Sequence, residues 1–156
     1  MKKEDGEDYE AFCWPGRTTW LDFFNQECRD FLGDVYSGKA KHPEVSDNDF
    51  LWSDPNMQVW LDMVEPAIFT NTEKTMPKTN KHTLTQGDKQ LEVSHRDVHS
   101  LYGHYGAKAH YEGLLKRSEE RPFVLNRAFF AGSQRYAVHW TGDPRCDWGH
   151  FKITIP

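Results

Sequence analysis

The stretch that decides the fold is Gln58-Val59-Trp60-Leu61-Asp62-Met63-Val64-Glu65-Pro66-Ala67-Ile68-Phe69. Its short apolar run, residues 59–61, is typical of a buried strand and leads directly into two acids, Asp62 and Glu65. Pro66 then ends the segment, because proline fixes φ and cannot donate to a strand ladder. Acids at a strand end are how a (β/α) barrel presents its chemistry at the C-terminal rim. The competing interpretation is that Asp62 only caps a junction between a strand and a loop.

A second stretch, His139-Trp140-Thr141-Gly142-Asp143, has the same form. An aromatic strand end is followed by glycine and then by an acid. Between the two stretches, the apolar run 122–125 predicts another buried strand, which leads to Asn126 and Arg127. Two acid-bearing strand ends favour a catalytic rim over two unrelated caps.

Length and charge exclude several classes of protein. The 156 residues suffice for one domain, but a complete (β/α)8 barrel needs about 250. The net charge is −5, and lysines and arginines are interspersed among the acids, so no basic stripe for nucleic acid is present. No apolar run reaches the roughly 18 residues that a membrane span requires, so none is predicted.

The first helix is predicted over residues 26–36, with Asn25 as its N-cap. Apolar residues recur at helical spacing within it and predict a stripe that faces the core. These residues are Cys28, Phe31, Leu32 and Val35.

The rest of the chain alternates polar loops with regular elements. Residues 37–56 and 70–94 are polar and predict loops, the second of them where a barrel builds its rim. Ser94 has the capping-box spacing that starts a helix over about 95–118. A strand over 137–140 and a helix that begins at Asp147 complete the pattern.

The histidines of the long helix raise the question of a metal site. His95 and His99 are four residues apart, which places them on one helical face. However, no glutamate follows His95 directly, and no third ligand is evident. Capping and hydrogen bonding in the core are therefore the predicted roles, and no metal site is expected.

Five motifs carry a resemblance to a known family. Trp60 to Pro66 is similar to the W-x-D-M-N-E-P signature of glycoside hydrolase family 31, the α-glucosidase family. The other motifs are Trp14-Pro15-Gly16, His95-Arg96-Asp97-Val98-His99, the run from Arg121 to Tyr136, and Trp140-Thr141-Gly142-Asp143. They follow the family's order and cover about residues 5–156.

The resemblance implies an α/β fold: part of a (β/α)8 TIM barrel, about strands 3 to 6, as a single partial catalytic domain over residues 1–156. Asp62, Arg127 and Asp143 should converge at strand C-termini. The family also uses a sugar-binding aspartate from an earlier strand and a histidine from a later one. Neither segment is in this sequence, so we expect an internal piece of a larger catalytic domain.

The resemblance also implies residue roles. Asp62 matches the family's nucleophile and Asp143 its acid/base, while Glu65 is expected to support the loop. The substrate-binding positions carried over are Trp14, Met63, Arg127 and Trp140. Simple core packing is the alternative for Trp14, and a structural salt bridge is the alternative for Arg127. Val64 and Pro144 depart from the asparagines that the family usually has at these two positions.

The implied activity is that of a retaining α-glucosidase that removes terminal α-linked glucose from an oligosaccharide without a cofactor. The most similar members trim glucosylated N-glycans in the endoplasmic reticulum lumen, with a non-catalytic β subunit as partner. A neutral glycogen- or maltose-type α-glucosidase is the close alternative. A different alternative is a non-catalytic fragment or pseudoenzyme, because half a rim would leave Asp143 open to water.

Overall fold

The structure is a computed structural model that describes residues 1–40, 54–69 and 75–154. Seven strands and four helices follow one another in it, with short 3-10 turns at His99–Leu101 and Ser133–Arg135. The strands are β1 (Glu10–Cys13), β2 (Gly16–Thr19), β3 (Val59–Leu61), β4 (Lys81–Gln86), β5 (Lys89–Ser94), β6 (Val124–Asn126) and β7 (Val138–His139). The helices are α1 (Gln26–Tyr36), α2 (His95–Val98), α3 (Tyr102–Arg117) and α4 (Trp148–Lys152).

The central feature is a parallel sheet with the strand order β3-β6-β7. Because the strands are parallel, their carboxyl ends lie at one edge, where the chain continues into Asp62, Arg127 and Trp140. Helix α3 covers one face, where its Leu114 packs with Leu61 and other apolar side chains of the strands. The predicted α/β organisation and the strand ends before Asp62 and Arg127 are confirmed.

The other face of this sheet is open. Trp60 is 66% exposed and Val138 is 48% exposed, and both project away from α3 since their neighbours Leu61 and Ala137 are buried against it. Parallel sheets are normally covered on both faces. An open apolar face is therefore what part of a barrel presents when its interior is incomplete.

Helix α1 has the predicted bounds, and Asn25 caps it by accepting a hydrogen bond from the Glu27 backbone N–H at 2.9 Å. The predicted core stripe is partly wrong. Phe31 is 49% exposed, whereas Arg29 is buried and donates to the carbonyls of Phe23 and Phe24 at 2.7 and 2.8 Å. These carbonyls give the buried guanidinium acceptors that a periodicity count cannot reveal.

The predicted helix over 95–118 is present as α2, a 3-10 turn and α3. Its predicted capping box does not form: the Ser94 hydroxyl donates to the Lys78 carbonyl at 2.7 Å instead of capping the helix. The spaced pair His95 and His99 is joined by a hydrogen bond between the two rings at 2.8 Å. Within the described part of the chain, no three His, Cys, Asp or Glu side chains are grouped to hold a metal.

The predicted loop over 70–94 is wrong for its second half. Strands β4 and β5 form an antiparallel hairpin in which Gln86 faces Lys89. The turn between them is Gly87-Asp88, with a positive φ of 59° at Gly87 that suits glycine. Residues 41–53 of the other predicted loop, and residues 70–74 of this one, lie outside the described residues.

None of the helices in the described ranges is long and apolar enough to cross a membrane.

Candidate active site

Asp62 is the first residue after β3 and begins a tight loop. Its carboxylate accepts the Met63 backbone N–H at 2.9 Å, and Met63 has a φ of +64°. The Ala67 N–H then donates back to the Met63 carbonyl at 2.9 Å. A left-handed φ is uncommon for a residue other than glycine. This conformation turns the chain directly after the strand and holds Asp62 at the rim.

Arg127 occupies the matching position after β6 and joins the loop that follows β3. Its backbone N–H donates to the Leu61 carbonyl at 3.1 Å, which continues the ladder to the rim. Its guanidinium contacts Glu65 through Nε at 2.8 Å and Nη2 at 3.1 Å, and Asp62 through Nη1 at 3.2 Å. The sulfur of Met63 lies 2.8 Å from Nη2. One guanidinium thus orients both acids of the loop.

The charges at this rim act on one another. The hydrogen bonds to Glu65, followed by the charges of Glu65, Asp62 and Asp143, raise the pKa of Arg127. Burial acts to raise the pKa of Glu65, but the hydrogen bonds and charge of Arg127 outweigh it, so that this pKa is lowered. Two carboxylates, those of Asp62 and Glu65, thus contact one cation, and the excess of negative charge suits a positively charged reaction centre.

Asp143 stands four residues beyond the end of β7 on an exposed segment. It lines a cavity of about 280 Å³ together with Thr141 and His150. Trp140 packs edge-on against Trp60, with ring centroids 5.8 Å apart and an interplanar angle of 71°. Two indole rings therefore lie on the open face of the sheet, below the rim.

Trp14 lies in the turn between β1 and β2 and is 77% exposed. Its ring packs edge-on against Phe69, with centroids 4.8 Å apart, and the Phe69 N–H donates to the Phe12 carbonyl at 2.8 Å. Trp14 is thus tied to the far end of the loop that Asp62 begins. Among the described residues, no contact joins Trp14 to Asp62 or Arg127.

The structure brings the predicted site residues together to different degrees. Asp62, Met63 and Arg127 are in direct contact. In the described part of the chain, Asp143 makes no direct contact with these three residues, while Trp140 packs on Trp60 and Trp14 packs on Phe69. Sequence reasoning did not identify Trp60 and Phe69 as those rings. Strand alternation could have indicated Trp60, because a side chain between the core-facing Val59 and Leu61 must project to the opposite face.

Comparisons with known proteins agree with this geometry. The profile of the glycosyl hydrolases family 31 TIM-barrel domain matches residues 1–156. The chain is 45% identical to human neutral alpha-glucosidase AB and 42% identical to a probable glucan 1,3-alpha-glucosidase of Oryza sativa subsp. japonica. Both matches cover all of this chain, but only 15% and 16% of the relatives' own length.

Solved structures give the same result. A crystal structure of the glucosidase II alpha subunit, in an alpha3-Glc2-bound form, superposes with a TM-score of 0.76 at 41% identity and covers 97% of this chain and 15% of that one. A family 31 alpha-glucosidase from Bacteroides thetaiotaomicron has a TM-score of 0.68 at 32% identity, over 98% of this chain and 21% of that one. With a family profile that spans every residue and relatives above 40% identity, the chain belongs to glycoside hydrolase family 31, as part of its TIM-barrel domain.

Proposed function

We propose that this chain is part of the catalytic barrel of a retaining α-glucosidase in which Asp62 is the nucleophile and Asp143 the acid/base. The observation that carries the proposal is the 3.2 Å contact between Arg127 and Asp62 at the C-terminal edge of the parallel sheet. A nucleophilic carboxylate must remain ionised, and an adjacent guanidinium favours that form. The C-terminal edge is also where barrel enzymes hold their catalytic residues.

The proposed reaction has two steps. An Asp62 oxygen bonds to the anomeric carbon while the bond to the leaving oxygen breaks and Asp143 protonates that oxygen. Water then attacks the anomeric carbon, gives a proton to Asp143, and releases Asp62 as a carboxylate. In the complete barrel we expect the two carboxyl groups to be about 5–5.5 Å apart, as in retaining enzymes.

The remaining side chains would bind the sugar. Arg127 has a planar set of donors that can reach sugar hydroxyls while Glu65 holds it by two hydrogen bonds. Met63 would contact the sugar beside Arg127. Trp14 and Trp140 offer flat apolar surfaces, which suit the apolar faces of glucose.

The substrate, the cell compartment and the partner subunit are proposed from the proteins to which this chain is similar. We propose glucosidase II-like trimming of glucosylated N-glycans in the endoplasmic reticulum lumen, with a non-catalytic β subunit as partner. A heterodimer of the catalytic subunit and the binding domain of a regulatory subunit is among the similar structures, at 41% identity. We assign the chain to about strands 3 to 6 of the barrel, with residues 1–156 as the partial catalytic domain.

A neutral glycogen- or maltose-type α-glucosidase is the second candidate, favoured by 41% identity to human neutral alpha-glucosidase C. Glucose release from a glucosylated high-mannose glycan, compared with release from maltose and glycogen by the full-length protein, separates the two. A preference for the glycan supports the first candidate, and a preference for maltose or glycogen supports the second.

Labelling of the full-length protein by a mechanism-based glucosidase inhibitor tests the chemistry. The label should map to Asp62 and be lost in Asp62→Asn. Asp88→Asn, at the β4–β5 turn, is the matched control and should label like the unchanged protein. Labelling that persists in Asp62→Asn would exclude Asp62 as the nucleophile, and no turnover or labelling in the unchanged protein would indicate a pseudoenzyme, for which Val64 and Pro144 offer a starting explanation.

A further inference from the structure

The first turn of α3 approaches both loops of the candidate site closely at Gly103. A Cβ atom added at Gly103 would be 2.2 Å from the Ala128 Cβ and 3.0 Å from the Val64 carbonyl oxygen. Ala128 directly follows Arg127, and Val64 lies between Met63 and Glu65. The helix therefore contacts the backbone of one loop and the shortest possible side chain of the other.

This contact is reinforced from the strand side. The Gly103 carbonyl accepts a hydrogen bond from the Asn126 side-chain amide at 2.9 Å, and Asn126 is completely buried at the end of β6. Gly103 has ordinary helical geometry, so glycine is required there for space and not for its backbone freedom. Glycine in a helix interior costs about 1 kcal/mol relative to alanine. This cost is offset by the close approach that the missing side chain permits.

We infer that Gly103 is a positioning residue, which sets the separation between the loop of Asp62 and the loop of Arg127. The inference deepens the proposed function and rests on it. One more carbon atom on the helix here would force a shift against Ala128 and would also press on the Val64 carbonyl oxygen. The 3.2 Å contact between Asp62 and Arg127, which spans the two loops, would then change.

The size of the effect follows from the distances. Ordinary van der Waals contact begins at about 3.4 Å, so the 2.2 Å approach requires a shift of roughly 1.2 Å. Ala128 has no flexible side chain to move aside, so its backbone must move. A misplacement of about 1 Å at a reacting centre can cost on the order of 100-fold in rate. We therefore expect Gly103→Ala to lower kcat by tenfold to a hundredfold, within about that limit.

Gly106→Ala is the matched control, one turn further along the same helix. Its added Cβ would meet the ring of Phe23 at 3.3 Å, in the core and away from the rim. Both variants gain the same helix propensity, and both add one methyl group to a tight contact. Both variants should change the melting temperature, but only Gly103→Ala should change kcat.

The experiment uses the full-length protein and a nitrophenyl α-glucoside. Gly103→Ala should lower kcat with a smaller change in KM. The double variant Gly103→Ala/Ala128→Gly, compared with Ala128→Gly alone, should recover most of the lost kcat, because it lacks the Ala128 Cβ atom with which the new methyl group clashes. If Gly103→Ala does not fold, the double variant should fold and carry the same comparison. A folded Gly103→Ala with unchanged kcat, or a loss that Ala128→Gly does not rescue, overturns the inference.

A crystal structure of Gly103→Ala gives a reading that does not depend on activity. The Asp62–Arg127 contact should lengthen, and it should return in the double variant. If the Asp62–Arg127 distance in Gly103→Ala equals that in the protein without the substitution, the positioning role is refuted, even if the protein without the substitution proves inactive. Absence of turnover in the unchanged protein, by contrast, counts against the proposed function alone.

Discussion

Acidification tests the buried hydrogen-bond chain that runs from Asp22 through His82 and His95 to His99. The contacts are 2.9 Å from Asp22 to His82 Nδ1, 2.9 Å from His82 Nε2 to His95 Nδ1, and 2.8 Å from His95 Nε2 to His99 Nδ1. The second Asp22 oxygen accepts the Thr83 N–H at 2.7 Å. The chain links the segment before α1 to β4, α2 and the turn that follows.

The carboxylate determines the direction of the chain. With the three rings neutral, a carboxylate at Asp22 can only accept, so His82 donates through Nδ1 and accepts through Nε2, and His95 and then His99 donate through Nδ1 in the same way. Each of the three contacts then already contains one donated hydrogen atom. His95 is 1% exposed, so a second proton on it would place a charge away from water and would reverse the hydrogen bond to His99, whose ring would then accept.

The surroundings of His95 oppose its protonation. Burial, followed by the neighbouring His82 and His99, lowers the pKa of His95 to about 3. The pKa of Tyr102 is well above its usual value because of burial and then Asp22, and the pKa of Cys28 is raised for the same reasons to about 11. Both groups are therefore neutral in the acidic range.

The sign of the pH dependence follows. A histidine in the unfolded chain has a pKa near 6.5, so below that pH the unfolded state binds a proton that folded His95 does not. The contribution of neutral His95 to the free energy of unfolding is therefore fully present above pH 6.5 and is lost as the pH falls below that value. The loss is about 1.4 kcal/mol per pH unit, or roughly 2 kcal/mol at pH 5. Burial also lowers the pKa of His110 to about 4, but this residue lies within α3, outside residues 81–99, so its loss applies only when α3 itself opens.

Hydrogen–deuterium exchange of the full-length protein between pH 7.5 and pH 5 measures this locally. After correction for intrinsic exchange, protection of peptides that cover 81–99 should fall by on the order of 30-fold at pH 5, the equivalent of roughly 2 kcal/mol. The β1–β2 hairpin contains no histidine and is the internal control. His95→Gln should remove most of the pH dependence. Protection of 81–99 that changes no more than that of residues 10–19 would refute the reasoning.

Two further predictions concern the rim and the open sheet. Glu65→Gln should lower kcat about tenfold to a hundredfold, because a hydrogen bond to a charged partner is worth about 1.5–3 kcal/mol, yet covalent labelling of Asp62 should persist. Loss of labelling in Glu65→Gln with retention in Asp62→Asn would reverse the two roles, as peptide mapping would show. The isolated 156-residue chain should associate in light scattering and should not turn over a nitrophenyl α-glucoside, because β3 and β7 each leave an edge unpaired within the described sheet and Trp60 is exposed. A monodisperse chain with turnover that Asp62→Asn abolishes would contradict this.

Local signals in the sequence were sufficient for the elements that depend on neighbouring residues. Asn25 caps α1 because its side chain reaches an N–H two residues away, which any chain with that spacing can form. The strand before Asp62 and the helix after Ser94 follow from hydrophobic pattern in the same way. The hairpin of β4 and β5 also had a local signal, the Gly87-Asp88 turn, which the polar composition of the segment obscured.

The tertiary structure alone decided which of these residues meet. Glu65 and Arg127 are 62 residues apart in sequence, and their two hydrogen bonds exist only because β3 and β6 are paired in register. The burial of Arg29 and the role of Ser94 depend on carbonyls that other segments supply. Gly103 is the clearest case: within a helix it reads as a weak position, and only the packing of α3 against two loops shows the space that it leaves. Such contacts depend on how closely distant segments pack against one another, which no pattern along a single chain encodes.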